Sequence, residues 1–336
     1  MKVAVIGITP VGCTVACLLD AAGEDVTLIG RPDKAAKVNE HGLTVRQVWD
    51  GGLIVSRVIA TDILTSTPDV IVFAARTQDT YEAAVMAAPF VANATIVTIQ
   101  AGTKTEQIVS KVLPRDNIIT CVLTMGANCH TPGDVTLNFK GHMVVGRAYD
   151  APEWREEQVY KLMSKAFATS IGKKIAHYNC TRLLFNVPYC IPAILGKKVQ
   201  TAFSDIDISK VAVKLLDEGI GIVVASGVRI EPLPDFNEES LRAMLAAPLE
   251  HAAGLFRDLV FMMGKVPCEG PMLGSIEQGE PSEIDYQNGE LVKIASVLGF
   301  PAPLNALMVE LVHRVERTGK FLTKEEFLGL VNDVKA

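Results

Sequence analysis

The cysteines of this 336-residue chain follow no ligand or dithiol spacing. Seven are present, Cys13, Cys17, Cys121, Cys129, Cys180, Cys190 and Cys268, an odd number scattered through the sequence with no CxxC pair. That excludes a disulfide framework and argues against a zinc site, and it fits a reducing, cytoplasmic compartment. No cluster of His, Asp and Glu has metal-ligand spacing, so no metal is expected. No apolar run approaches the roughly 18 residues a membrane span needs. The opening MKVAVIG enters a strand pattern directly, without a cleavage site, and so predicts no targeting segment. Basic stripes are missing too. A net charge of -6 speaks against a nucleic-acid partner. No repeat of fixed period is visible.

What is present is a globular composition, with 49% hydrophobic and 21% charged residues. The length exceeds one ordinary core and predicts two domains, 1–175 and 176–336. Val3 to Ile6, Val26 to Ile29, Asp69 to Ala74, Ala94 to Ile99 and Asn117 to Leu123 read as buried strands. Helical segments separate them, at 12–23 and 79–92. This alternation predicts an α/β Rossmann-type domain with a parallel sheet. Val135–Leu137 and His142–Val145 read as short antiparallel strands, and 153–170 as one amphipathic helix. From Ile175 onward the pattern predicts an all-α domain with helices at 181–196, 208–226, 238–263, 283–298 and 303–316. Pro188 and Pro192 should break the first of these. Segments 228–237 and 264–282, rich in proline, read as loops.

The turn after the first strand is Gly7-Ile8-Thr9-Pro10-Val11-Gly12. A dinucleotide fingerprint has the pattern G-x-G-x-x-G, and here its first and third glycines are present. Thr9 holds the middle place, where it either crowds a pyrophosphate or donates a hydroxyl to it. The following helix N-terminus offers N–H groups to a phosphate in either case. At the tip of the second strand stands Arg31, followed by Lys34 and Lys37, with no acid at the tip itself. A guanidinium there suits the 2′-phosphate of NADP; the plain alternative is a solvated surface arginine.

The second half carries a more specific string. Ser282-Glu283-Ile284-Asp285-Tyr286, then Asn288-Gly289, then Gly299-Phe300-Pro301-Ala302-Pro303 and Asn305, resembles the C-terminal signature of ketopantoate reductases. Gln100-Ala101-Gly102, Thr124-Met125-Gly126-Ala127 and Arg182-Leu183-Leu184-Phe185-Asn186 resemble further segments of that family. The resemblance runs over residues 1–317. It implies NADPH-dependent reduction of a small-molecule carbonyl, a 2-oxo acid, to a 2-hydroxy acid. It also implies a homodimer and a role in pantothenate biosynthesis.

Carried over residue by residue, the resemblance places catalysis on Arg182 and Glu283. It places substrate binding on Asn186, Cys190 and Pro271, and helical spacing adds Tyr189, three residues after Asn186. Cofactor binding falls on Gly7, Thr9, Pro10, Val11, Gly12, Arg31, Arg76 and Ala101. Several positions depart from the family pattern. Arg182 replaces a lysine, four residues before Asn186 and so on the same helix face. Ala101, Cys190, Cys268 and Pro271 replace polar groups. An arginine can stabilise an alkoxide but is a poor proton donor, which leaves water or Tyr189 to supply the proton. Glu283 heads the expected helix 283–298 and reads either as a substrate ligand or as a capping acid. These departures leave a second reading open, a member that binds dinucleotide without turnover. A third is a related dehydrogenase with another substrate. Cys129 and His130, in a polar turn, complete the candidates.

Overall fold

The structure, a computed structural model, describes residues 1–233, 238–262, 264 and 266–334, with the backbone alone at His130 and Glu238. It divides into two compact units, Met1–Asn179 and Cys180–Ala336.

The first unit runs β1 (Lys2–Ile6), α1 (Pro10–Ala21), β2 (Asp25–Ile29), α2 (Pro32–His41), β3 (Leu43–Gln47), β4 (Leu53–Ser56), β5 (Ile59–Thr61) and β6 (Val70–Phe73). It continues with α3 (Thr80–Ala87), β7 (Thr95–Thr98), α4 (Thr105–Val109), β8 (Ile118–Leu123), β9 (Gly126–Thr131), β10 (Asp134–Phe139), β11 (His142–Gly146), α5 (Glu153–Met163) and β12 (Ala168–Ile171). One sheet has the order β12-β11-β8-β7-β6-β1-β2-β5. Pairing is parallel from β5 through β8, and β11 joins β8 antiparallel. The chain leaves β1 toward β2 on one side and later returns to β6 on the other. The sheet therefore has a switch point beside β1, where open α/β sheets bind ligands.

The central strands β1, β6, β7 and β8 bury both faces, as the middle of a sheet covered on two sides requires. Val3, Val5, Val70 and Val72 enter one core, while Ala4, Ile6, Ile71 and Phe73 enter the other with α3. The period of two follows from strand geometry. The first core also contains Leu43, Val45, Val135 and Leu137. These belong to a second sheet, β4-β3-β10-β9. Helix α1 packs against β1 and β2 of the first sheet and against β3, β4, β9 and β10 of the second. That explains its sequence: residues 12–19 are all buried, and a helix covered on both sides has no polar face.

The second unit is helical: α6 (Ile175–Asn186, which carries the division), α7 (Cys190–Leu195), α8 (Val199–Phe203), α9 (Ile206–Ala225), α10 (Glu238–Ala246) and α11 (Leu249–Met262). α12 (Gly270–Glu277), α13 (Asn288–Leu298), α14 (Pro303–Thr318) and α15 (Lys324–Asn332) complete it. α9 packs on α11 and α13 on α14. Phe203 and Phe256 meet edge to face at 5.0 Å in its core.

Several boundaries differ from expectation. Segment 153–170 is a helix only to Met163, because Ala168–Ile171 extends the sheet edge beside β11. β10 and β11 do not pair with one another; they lie in different sheets. The expected helix 238–263 breaks at Ala247, which precedes Pro248 and is thereby pushed out of helical geometry. The expected loop 264–282 contains α12, with Pro271 in its first turn, where a missing N–H costs nothing. Of the loop 228–237, residues 234–237 lie outside the described residues.

Candidate active site

In the first unit, the candidate residues lie along one edge of the parallel sheet. Register aligns Ile6 with Ile29 and Phe73, and Phe73 with Thr98. The residues after those strand ends, Gly7, Gly30 with Arg31, Ala74 to Arg76, and Gln100 with Ala101, therefore emerge at one level. Gly7 has φ +128°. A Cβ there would stand 2.3 Å from the Ala75 nitrogen, and one on Gly12 would stand 1.9 Å from the Gly7 carbonyl oxygen. Both glycines are thus demanded by backbone packing. Gly30 is held close against Ile8, which a Cβ would meet at 2.6 Å.

Thr9 resolves its own ambiguity. It is the N-cap of α1: its hydroxyl accepts from the Gly12 amide at 3.1 Å and donates to the Ala74 carbonyl at 2.8 Å. The hydroxyl proton is therefore committed to β6 and not offered to a phosphate. Pro10 has no N–H, and the Val11 amide has no partner among the described residues. Position N2 of the helix thus keeps a donor aimed along the positive end of the α1 dipole. A Gly-lined turn with such a donor fits a dinucleotide diphosphate.

Arg31 stands at the β2 tip as expected but grips its neighbour Asp33, Nε to Oδ1 at 3.1 Å and Nη2 to Oδ2 at 2.8 Å. This hydrogen bonding holds the Asp33 carboxyl down at about 2. Arg76, after β6, ion-pairs with Asp79 at 3.2 Å. Gln100 donates to the Thr80 hydroxyl at 3.1 Å, and that hydroxyl donates to the Arg76 carbonyl at 3.1 Å. The chain is so fixed on either side of the sheet edge, with Ala101 half-buried just beyond β7.

In the second unit, the candidate residues lie on α6 and the turn after it. Arg182 Nη1 donates to Asn186 Oδ1 at 2.8 Å, the pairing that the i, i+4 spacing implied. The guanidinium also sits 5.4 Å from the Phe185 ring, which meets Tyr189 edge to face. Burial lowers Arg182 to about 10, opposed by Tyr189, so it stays charged at neutral pH. Burial pushes the Tyr189 phenol well up, which makes it a weak acid. An apolar cavity adjoins, lined by Leu184, Phe185, Pro188, Tyr189, Leu216 and Phe256.

Cys190 is not available to a ligand in this structure. It is fully buried, and its thiol donates to the Val187 carbonyl at 3.2 Å and accepts from Asn288 at 3.7 Å. Pro271 is exposed in the first turn of α12. Cys268 is buried, with its amide bonded to Gln200 Oε1 at 2.8 Å. Glu283 is half-buried and does not head a helix: a 3-10 turn over Ile284–Tyr286 follows it, and α13 starts at Asn288. The correction has a local cause, since Gln287 adopts φ -116°, ψ -96°, outside helical space. The His130 side chain lies outside the described residues.

Two internal networks gave no sequence signal of their role. The Asn288 amide donates to Asn305 Oδ1 at 3.0 Å, and Glu218 accepts from Asn305 at 2.8 Å and from the Leu304 amide at 3.0 Å. The signature asparagines thus tie α13, α14 and α9 together. In the first unit, buried Glu106 accepts from Thr120 at 2.9 Å and Asn179 at 3.0 Å.

Comparison with known proteins agrees with this architecture. Residues 3–149 match the family described as Ketopantoate reductase PanE/ApbA, and residues 174–316 match its C-terminal counterpart. A 2-dehydropantoate 2-reductase of Pyrococcus horikoshii is 26% identical over 322 residues, 95% of this chain and 99% of that one. One from Halobacterium salinarum is 24% identical, over 95% of this chain and 100% of its own length. Among solved structures, 2-dehydropantoate 2-reductase from Geobacter metallireducens GS-15 superposes with TM-score 0.78 at 19% identity, covering 94% of this chain and 100% of that one. D-mandelate dehydrogenase with NADH and anilino(oxo)acetate gives TM-score 0.78 at 17% identity, covering 95% and 99%. The chain belongs to the ketopantoate reductase family. It is an oxidoreductase acting on a CH–OH group, built on a dinucleotide-binding fold.

Proposed function

We propose that this chain uses NADPH to reduce the ketone of a small 2-oxo acid to a 2-hydroxy acid. The observation that carries the reading is the Arg182–Asn186 pair, a half-buried guanidinium held in one orientation by a 2.8 Å hydrogen bond. A bound reduced nicotinamide supplies the hydride. Gly7, Gly12 and the Val11 amide hold its diphosphate, and Arg31 and Arg76 flank the same sheet edge. Arg182 stabilises the negative charge that develops on the ketone oxygen. It stays charged at neutral pH, and water or Tyr189 supplies the proton that the alkoxide takes up. Glu283 orients the substrate. The relatives named above act on 2-dehydropantoate. Here Ala101 and Pro271 have no side-chain hydrogen-bonding group and Cys268 only a weak one, and an apolar cavity adjoins Phe185 and Tyr189. Substrates whose side chain lacks a hydroxyl are therefore favoured, since a site without polar partners gains nothing from one.

One observation favours NADH instead: Asp33, an acid, lies bonded to Arg31 at the β2 tip and could take a ribose hydroxyl. Titration with each reduced nucleotide decides between them. NADPH should bind more tightly, and Arg31→Ala should remove the difference. Turnover is followed as nicotinamide absorbance over a panel of 2-oxo acids. Substrate-dependent oxidation that disappears in Arg182→Ala supports the reductase. Binding with no turnover on any member favours the non-catalytic reading. The chain is further proposed to act in the cytoplasm as a homodimer, which sedimentation velocity would report as twice the chain mass.

A further inference from the structure

Helix α14 begins without a cap of its own. Ala302 stands at its N-cap and Pro303 follows, so no local side chain meets the first amides. Glu218, on α9, takes that place from 86 residues away in sequence. Its Oε2 accepts from the Leu304 amide at 3.0 Å and its Oε1 from the Asn305 amide at 2.8 Å. Oε1 also accepts from Asn305 Nδ2 at 2.8 Å.

These bonds fix the direction of everything beyond them. Both Glu218 oxygens accept, so the Asn305 amide turns its NH2 to Glu218 and its oxygen away. That oxygen accepts from Asn288 Nδ2 at 3.0 Å. Asn288 is thereby made a donor, and Nδ2 also reaches the Val187 carbonyl at 3.2 Å. Asn288 Oδ1 has no partner among the described residues, although Asn288 is fully buried. Asn288 is thus kept for its N–H groups. Val187 directly follows Asn186 and opens the 3-10 turn, Val187–Tyr189, that separates α6 from α7. Asn186 is the residue that accepts from the Arg182 guanidinium at 2.8 Å. Asn305, Asn288 and Val187 are all buried, so water does not stand in for a lost bond.

We propose that Glu218, Asn305 and Asn288 are positioning residues for the reaction: their polar relay pins the turn after Asn186 and so keeps Asn186 and Arg182 in the orientation that meets the ketone oxygen. Glu218 acts through Asn305, Asn305 through Asn288, and Asn288 through the Val187 carbonyl. Loss of a link leaves a buried donor or acceptor unsatisfied, and the turn moves to recover a partner. A misplacement of about 1 Å at a reacting centre lowers a rate about a hundredfold. The catalytic part of this role rests on the proposed reductase reading.

Two substitutions break the relay without shortening a side chain. Asn288→Asp removes the donors. Glu218→Gln turns one acceptor into a donor that faces an N–H; it alters a half-buried residue, and so reads the relay even where Asn288→Asp fails to fold. Each is made in the full-length chain, alone and together with Asn186→Ala, and assayed on the 2-oxo acid that the parent reduces fastest. With Asn186 in place, kcat/KM should fall about tenfold or more, and NADPH affinity should stay within about twofold. With Asn186→Ala, the same substitution should change kcat/KM by less than about twofold, because the residue it acts through is gone. Equal falls in both backgrounds, or none in either, overturn the proposal. A second readout needs no substrate. In the chain with isotope-labelled arginine, the side-chain resonance that is lost in Arg182→Lys should show separate Nη1 and Nη2 signals in the parent and averaged ones in Glu218→Gln. Separate signals in both overturn the relay even where turnover is normal. Averaging in Glu218→Gln, with a parent that turns over no 2-oxo acid, supports the relay and overturns the reductase reading alone.

Discussion

Thr9 shows why one residue can break a motif and keep its fold. The fingerprint wants glycine so that a phosphate can approach. Here the side chain turns its hydroxyl inward and bridges Ala74 to the Gly12 amide. Thr9→Val keeps the shape and removes both bonds. An N-cap loss costs about 1 kcal/mol, up to about 2, so a fall of several degrees in Tm is expected, with Thr9→Ser close to the parent. Equal melting of all three would show that the bridge is idle. Arg182 gives the second expectation at this scale. If it stabilises the developing alkoxide, Arg182→Ala should lower kcat by about 10²–10³-fold, with circular dichroism unchanged. Arg182→Lys should recover part of that rate, because it restores a charge that can also donate its proton. The sequence showed that Arg182 and Asn186 share a face, because helical spacing alone decides that. It could not show that Cys190, a plausible substrate neighbour by position, is spent on Val187 and Asn288, since burial depends on elements about 100 residues away.

At the scale of elements, the five central strands β1, β2, β6, β7 and β8 were legible because each is a short apolar run closed by glycine or a polar residue, whereas the short edge strands β5 and β12 were not. The second sheet was not, because its strands come from two stretches, 43–56 and 126–139, and half-exposed residues such as Leu53 and Val55 give no clean alternation. Segment 282–286, beside Glu283, has a polar anchor that no spacing rule revealed. His313 on α14 faces Asp285 at 3.1 Å and Glu316 at 2.9 Å, and Glu316 accepts from the Ser282 amide at 2.7 Å. Burial alone would lower His313, but the two carboxylate bonds outweigh it and raise its pKa. A raised folded-state value means the stabilisation is complete below the unfolded value, near 6.5. It is lost as pH rises through the higher folded value. Because the imidazole is well exposed, the effect should stay below about 1 kcal/mol. Chemical unfolding of the parent should therefore weaken between about pH 6 and pH 8, and His313→Gln should flatten that part of the profile. A variant with the parent's slope would remove the anchor from the account.

For the whole molecule, what matters is whether each unit owns its core. Both cores of the first unit draw only on residues within 1–167. One forms on each face of the eight-stranded sheet, and the second sheet closes the outer side of α1. No strand of either sheet comes from beyond Ile171. The bond from Asn179 to Glu106 is the last tie inside the unit. A chain ending at Asn179 therefore keeps every strand pairing and the Gly7–Gly12 turn; α6 alone among its elements is cut short. Residues 1–179 expressed alone should unfold in one cooperative transition and bind NADPH within about tenfold of the full chain, a difference of about 1.4 kcal/mol, while turning over no 2-oxo acid. Asn179→Ala in that fragment should lower its Tm, because Glu106 is buried and would lose one of its donors. A fragment with no cooperative transition would show that the first unit needs the second to fold. One that folds but ignores NADPH would move the nucleotide-binding determinants away from the Gly7–Gly12 turn.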